Sequence, residues 1–293
     1  MLDDNLKSYL HLHFIVFIWG FTAVLGALIT LDALPLVWYR MALAVFFIVL
    51  FVIYKKIPLQ VSRKTLIGFL FAGLIIALHW LTFFKAIKVS NISITLACLS
   101  TGAFFTSLLE PLLTNKKIVW YEVLFGLIVI LGLGIIFKVE VNYVQGILLA
   151  LTSAFLSALF SVINSKYAKQ YNPTTISFYE LLGGVFFLSL YLLFSGSFNP
   201  QFFQITNSDW FYLAILSSVC TAYAFIASVQ VMKFLSPYTV MLTINLEPIY
   251  GIVLAVIIFH DKEQMSTGFY IGALLILSTV IVNGIIKNRS KPK

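Results

Sequence analysis

The sequence predicts an all-α integral membrane protein whose ten transmembrane helices form two inverted five-helix repeats. Three observations predict it. Hydrophobic residues make up 61% of the 293-residue chain and charged residues only 10%, against roughly 45–50% and about 25% in soluble domains. Apolar runs long enough to cross a bilayer, ~20 residues of helix for a core of about 30 Å, follow one another along the whole chain. The second half of the chain then repeats features of the first at a nearly constant offset.

The runs fall at residues 10–31, 36–54, 66–84, 92–113, 119–137, 144–163, 176–194, 210–232, 238–259 and 269–286. A transmembrane β-strand would alternate apolar and polar residues, and the run 66–77 does not. Helices satisfy their own backbone hydrogen bonds, as the bilayer core demands. The first run follows Lys7, lacks a small-residue cleavage pattern and is longer than the apolar core of a signal peptide, so it reads as a retained helix. Cys98 and Cys220 sit inside predicted spans and read as small packing residues rather than a disulfide or metal site.

Basic residues set the expected orientation. With the N-terminus in the cytoplasm, most of the 19 Lys and Arg lie in inside segments, among them Lys55, Lys56, Arg63, Lys64, Lys116, Lys117, Lys166, Lys169, Lys233, Lys291 and Lys293. Lys85, Lys88, Lys138 and Lys262 fall outside and Arg40 within a span. The positive-inside rule then puts both termini of this multi-pass chain in the cytoplasm. The same rule accounts for the basic charge, so nucleic acid is not expected as a partner. Trp38, Trp120 and Trp210 lie near span ends, where indole rings favour the interface.

Ser90 matches Ser236 and Gly126 matches Gly272 at an offset of 146, Lys88 matches Lys233 at 145, and Tyr39 matches Tyr179 at 140. The expected units are residues 1–138 and 139–293, joined through 138–143. Five helices per unit make the second start on the opposite side of the membrane. Such inverted repeats typify secondary transporters, which bind substrate near the midplane and rock around it. The longest connector, 195–209, leaves no room for an enzyme or nucleotide-binding domain, and no Walker loop, nucleophile elbow or zinc spacing appears. No cofactor is expected, and a gradient is the expected energy source. The four histidines are too scattered for a membrane enzyme acting on lipid, and no channel filter sequence is present.

Ionisable and polar groups inside the spans are candidate substrate-binding residues, since each is costly in hydrocarbon. Glu247, followed by Pro248 in the ninth span, stands out: the proline frees the Ile244 carbonyl, and Thr239, Thr243, Glu247 and Tyr250 share a helical face. A cavity wall or proton site is one reading; a structural carboxylate bonded to a neighbouring helix is the other. Glu110-Pro111 looks similar but aligns nine positions away. Arg40, one turn into the second span, either snorkels to headgroups or serves the site. Glu180 holds the matching place in the seventh span. His79 could join a proton relay or simply pack. Trp19, Trp80 and Tyr223 could stack on substrate, and Asn164 and Asn245 could bond its polar groups, or all could serve helix packing. Ser153, Ser157, Ser161 and Ser165 at steps of four read first as a close-packing stripe, as do Ser93, Ala97, Ser100 and Ser107. Gly268-x-x-x-Gly272 would suit helix contact, including one between two copies in a homodimer.

Trp19-Gly20, Pro35 followed by Trp38-Tyr39-Arg40, Glu247-Pro248, Asp261-Lys262-Glu263 and Gly272-Ala273-Leu274 resemble the drug/metabolite transporter superfamily, specifically bacterial EamA-type permeases, over roughly residues 10–286. Asn115-Lys116-Lys117 departs from the acidic turn common in that family. The resemblance implies export or uptake of amino acids, related metabolites or toxic compounds through a bacterial inner membrane. The expected function is therefore secondary transport, in the export direction, of a small metabolite or amino acid by alternating access, with protons as a candidate coupling ion; a facilitator or exchanger without coupling is the alternative.

Overall fold

The computed structural model describes residues 4–114, 117, 120–139, 141–263 and 265–289. Asn115, Lys116, Lys291 and Lys293 lie outside the described residues, as do the side chains of Trp120, Asp261, Lys262, Lys287 and Arg289. Every regular element among the described residues is a helix. Among the described residues, eight helical stretches are long and apolar enough to cross a membrane, and Thr267–Thr279 is a shorter apolar stretch.

In chain order these are α1 (Asp4–Leu28), α2 (Ala33–Lys55), α3 (Arg63–Val89), α4 (Ile92–Leu99), α5 (Gly102–Thr114), α6 (Trp120–Val139), α7 (Val144–Ala168), α8 (Pro173–Phe194), α9 (Asn207–Ser217), α10 (Ala224–Val231), α11 (Pro237–Ile244), α12 (Glu247–Phe259) and α13 (Thr267–Arg289). Side-chain caps start many of them: Ser62, Asn91, Asn172, Thr206 and Ser236 each accept a hydrogen bond from a backbone N–H of the first turn. Pro173 and Pro237 occupy first-turn positions, where a missing N–H costs nothing.

Burial runs opposite to that of a soluble protein. Leu112, Ile53, Ile67, Phe211 and Leu274 stand on the outside, whereas Arg40, Glu180, Glu247 and Glu263 are buried. That distribution fits a hydrocarbon solvent, which rewards apolar exteriors and penalises polar ones.

α3 packs most extensively against α7 and α8, α1 against α12 and α10, and α6 against α13. Small residues permit the close crossings. A Cβ at Gly73 would run into the Glu180 carbonyl and the Gly184 amide, and one at Gly20 would meet the Tyr250 Cβ beside Gly251. Gly272 faces Gly132 of α6, so this part of the Gly268-x-x-x-Gly272 motif serves a contact within the chain.

Three predicted spans are not single continuous helices. Between α4 and α5, Ser100 Oγ donates to the Leu96 carbonyl and Thr101 Oγ1 to the Cys98 carbonyl, competing with the backbone ladder. Between α9 and α10 the ladder widens to a π-turn over Ser218–Tyr223, and Thr221 Oγ1 donates to the Leu216 carbonyl, five residues back, at 2.6 Å. π-turns of this kind frequently mark functional sites. Between α11 and α12 the chain tightens at Asn245 and Leu246, because Pro248 has no N–H to continue the helix.

At one end of the bundle, Glu263 caps α4 across the chain. Its Oε1 accepts from the Ile92 N–H at 3.0 Å, and its Oε2 from the Ser93 N–H at 2.9 Å and Ser93 Oγ at 2.8 Å. A carboxylate there also opposes the positive end of the helix dipole. Asp209 binds the Thr30 N–H and hydroxyl near the same end, and Lys88 donates to the Ile29 carbonyl. Glu263→Ala should destabilise the protein by about 1–3 kcal/mol, the cost of leaving these buried donors unpaired. Thermal unfolding in detergent measures this, and an unchanged midpoint would remove the clamp from the account of stability.

Candidate functional site

The three interruptions converge on one cavity of about 80 Å³. Leu99 comes from the end of α4, Ile244 and Glu247 from the two sides of the α11/α12 break, and Phe225 and Ser228 from the helix that leaves the π-turn. α1, α2, α3 and α7 complete the wall with Trp19, Arg40, His79, Trp80 and Ser161, among others. A buried water occupies roughly 10–15 Å³, so the space suits a few waters, and a metabolite would require the walls to part.

Arg40 is the dominant charge in this wall. It is 1% exposed and does not snorkel, contrary to the reading open at the sequence level. Its guanidinium lies 3.9 Å from the centre of the Trp80 ring, and Nε donates to Thr221 Oγ1 at 2.7 Å. Nη1 is buried without a protein partner. A desolvated cation–π contact is worth about 2 kcal/mol, less than full ionic compensation would provide. Glu247, 6% exposed, lines the same cavity, and no ion pair joins the two. A guanidinium and a carboxyl group thus face a shared space with no ion pair between them.

Trp19 and His79 are held by backbone groups. Trp19 Nε1 donates to the carbonyl of Cys220, within the π-turn, at 3.1 Å. His79 Nδ1 lies 2.9 Å from the Ser153 carbonyl and 2.8 Å from Ser153 Oγ, while that hydroxyl also reaches the His79 carbonyl at 3.0 Å. Ser153 therefore anchors His79, and Ser157 and Ser161, further along the same stripe, line the cavity. The stripe was legible as a packing face only; its polar role needs the cavity on its far side.

The other candidates lie elsewhere. Asn164 Nδ2 donates to Glu180 Oε2 at 3.0 Å, in a buried pair between α7 and α8 that does not line the cavity. Thr243 Oγ1 donates back to the Thr239 carbonyl. Asn245 is buried at the break with Nδ2 unpartnered. Tyr250 packs edge-on against Phe17. Tyr223 is 44% exposed, lies 3.0 Å from His11 Nε2, and lines a wider groove of about 670 Å³ on the opposite face of α10. Thr221 was missed from the sequence, where a lone threonine among apolar residues carries no signal of a π-turn.

Thr221→Val should destabilise the protein by about 1–3 kcal/mol, because it leaves the Arg40 Nε donor unpaired in a dry wall. Adding Arg40→Met should recover part of that loss, since a buried charge is costlier than a well-packed apolar side chain. Thermal midpoints of the two single variants and the double variant test the coupling; additive effects would dismiss it.

The EamA-like transporter family model matches the chain twice, over residues 6–138 and 144–285. An uncharacterized transporter of Archaeoglobus fulgidus is 25% identical over 293 residues, spanning 94% of this chain and 96% of that protein. One solved crystal structure has a TM-score of 0.71 at 16% identity, covering 97% of this chain and 99% of the other, and that likeness concerns the fold. Matched by one family model along nearly its whole length, this multi-pass membrane protein belongs to the EamA-like transporter family.

Proposed function

We infer that the chain is a secondary transporter that exports a small zwitterionic metabolite, of the amino-acid type, by alternating access. The carrying observation is the shared cavity of Arg40 and Glu247. A guanidinium with a free N–H fits a carboxylate, and a carboxylate without an ionic partner fits an ammonium. Trp19, Trp80 and Phe225 would receive the apolar remainder of the substrate. Cytoplasmic termini rest on the distribution of basic residues, the inner membrane rests on the family resemblance, and export is our choice between the two directions the resemblance allows.

The mechanism rests on ten spans arranged as two inverted repeats, residues 1–138 and 139–293. Several features support that reading. The family model matches twice, with its boundary between 138 and 144. α4 and α11 each have 8 residues and are each followed by a 13-residue helix, α5 and α12. The break after α11 comes 145 residues after the break following α4. Arg40 and Glu180 are each the eighth residue of their helix. Discontinuous helices meeting at a midplane site are the usual carriers of substrate contacts in inverted-repeat transporters. By this alignment Gly102, not Glu110, stands where Glu247 stands in the second repeat, so the carboxylate is a feature of one repeat only.

Glu247→Gln should lower flux in proteoliposomes by at least about tenfold, the scale of one lost charge-assisted contact. It should also flatten the dependence of flux on an imposed pH gradient if a proton binds there; unchanged transport at every pH would take Glu247 out of the site. A wild-type flux indifferent to both proton and sodium gradients favours the facilitator. A cysteine at Asn142, in a chain without Cys98 and Cys220, should react with an impermeant thiol reagent from outside the cell, and labelling from the cytosolic side would break the inverted symmetry.

A further inference from the structure

Next to the substrate cavity lies a second polar centre that the transport reading leaves unused. Glu180 of α8 is fully buried, and among the described residues no basic side chain pairs with it. Asn164 of α7 is likewise fully buried and turns its amide N–H toward Glu180 Oε2 at 3.0 Å. That bond fixes the amide, so Asn164 Oδ1 points away from its own donor. It has no protein partner, and neither does Glu180 Oε1.

Helical spacing puts a hydroxyl on the same face as each of these two residues. Ser161 lies one turn before Asn164 on α7, and Ser177 one turn before Glu180 on α8, so each shares a face with the residue it precedes. Both are buried, and both hydroxyl oxygens are unpartnered. Four oxygens from two adjacent helices are therefore left without a protein partner: one of a carboxyl group, one of an amide and two of hydroxyls.

We propose that Glu180, Asn164, Ser161 and Ser177 form a binding site for a monovalent cation, sodium, which serves as the coupling ion of transport. The donor set is all oxygen, which selects a hard cation over a transition metal. One carboxylate balances one positive charge, whereas a divalent ion would leave a net charge in a dry site. A proton on Glu180 would neutralise the carboxylate but would give partners to at most two of the four oxygens. Tyr167, in electrostatic contact with Glu180, is an ionisable neighbour and supplies no positive charge. Ser161 lines the substrate cavity as well, so ion and substrate share one wall of α7, and occupancy of either site bears on the same helix.

The inference rests on the transporter reading for its role in coupling, and the binding site itself is tested without substrate. The purified full-length protein is unfolded thermally in choline, potassium and sodium chloride at equal ionic strength, from acid to alkaline pH. Sodium should raise the midpoint saturably beyond choline and potassium, as expected for a ligand that binds the folded state. Glu180→Gln and Asn164→Ala should each weaken the apparent sodium affinity at least tenfold, and Ser161→Ala and Ser177→Ala to a smaller degree. Equal stabilisation in all three salts, or a sodium effect that survives Glu180→Gln, overturns the proposal. Stabilisation that follows pH alone and disappears in Glu180→Gln assigns a proton instead and also overturns it. Should Glu180→Gln fail to fold, the Ser161→Ala and Ser177→Ala titrations decide, since a sodium affinity unchanged in both excludes the site. Sodium binding without sodium-driven flux in proteoliposomes would keep the site and reject its coupling role, whereas loss of flux with binding intact would fault the transport reading alone.

Discussion

In hydrocarbon, a backbone carbonyl or amide released from its helix finds no water, so another part of the protein must take it up. This constraint governs the centre of the molecule. The ladder is interrupted after α4, between α9 and α10, and after α11, and specific side chains occupy the neighbourhood of each interruption. Ser100 and Thr101 turn back on preceding carbonyls. Thr221 occupies the Leu216 carbonyl while Trp19 donates to Cys220. Thr243 donates to the Thr239 carbonyl just before the α11/α12 break. A cavity with a polar lining follows from these substitutions, because continuous helices would present only side chains to it. Arg40 depends on the same device: its acceptor, Thr221, sits in that position because the π-turn rotates it inward.

The two parts of the chain share a framework and differ in chemistry. Tyr39 and Tyr179 each send a hydroxyl to a carbonyl of a distant loop, Phe202 and Leu59 respectively. One residue further, the pattern places a cation in one helix and a carboxylate in the other. Arg40 lies over Trp80 and shares a cavity with Glu247; Glu180 accepts from the Asn164 amide. Close crossings at Gly73 and Gly251 require small residues and say nothing of chemistry, whereas buried charges are retained at a cost in stability that packing does not explain. Function is therefore to be sought where the framework repeats and the side chains do not.

Much of the fold was legible in the sequence because the bilayer imposes a length on its helices, and that length shows as runs of apolar residues. The positions of Trp19, Arg40, Trp80 and Glu247 were legible for a related reason: polar or bulky groups stand out against such runs. The interruptions were only partly so. Pro248 announced the α11/α12 break through its missing N–H, but Thr221, Ser100 and Thr101 break helices by bonding to carbonyls, which serine and threonine elsewhere in the spans do without disturbing the helix. Thr152, Thr106 and Thr279 all bond four residues back inside intact helices. Depth left two readings of Arg40 open. A position one turn into a span allows snorkelling, and only the packing of α3 and the π-turn against Arg40 excludes it. The aromatic face of Tyr223 went the other way, toward the outer groove, because the π-turn shifts the helical phase.

The contacts at the two ends of the bundle bear on how the proposed cycle could run. At one end, Asp209 holds Thr30, Lys88 holds the Ile29 carbonyl and Glu263 holds α4. At the other, Thr175 and Tyr179 hold the Pro58 and Leu59 carbonyls, and Lys166 holds the Leu113 carbonyl. Most of these bonds run from a side chain to the main chain of a connector. Each contributes about 0.5–1.5 kcal/mol net when water can replace it, so an end can open by exchanging a few of them for solvent. The crossings at Gly20–Gly251 and Gly73–Gly184 have no such exchange available, because parting them would leave backbone against backbone without a filler. The cheap contacts are at the ends and the costly ones at the waist. The proposed rocking would preserve the waist around the Arg40–Glu247 cavity and trade one set of end contacts for the other, so it would break only contacts that water can replace.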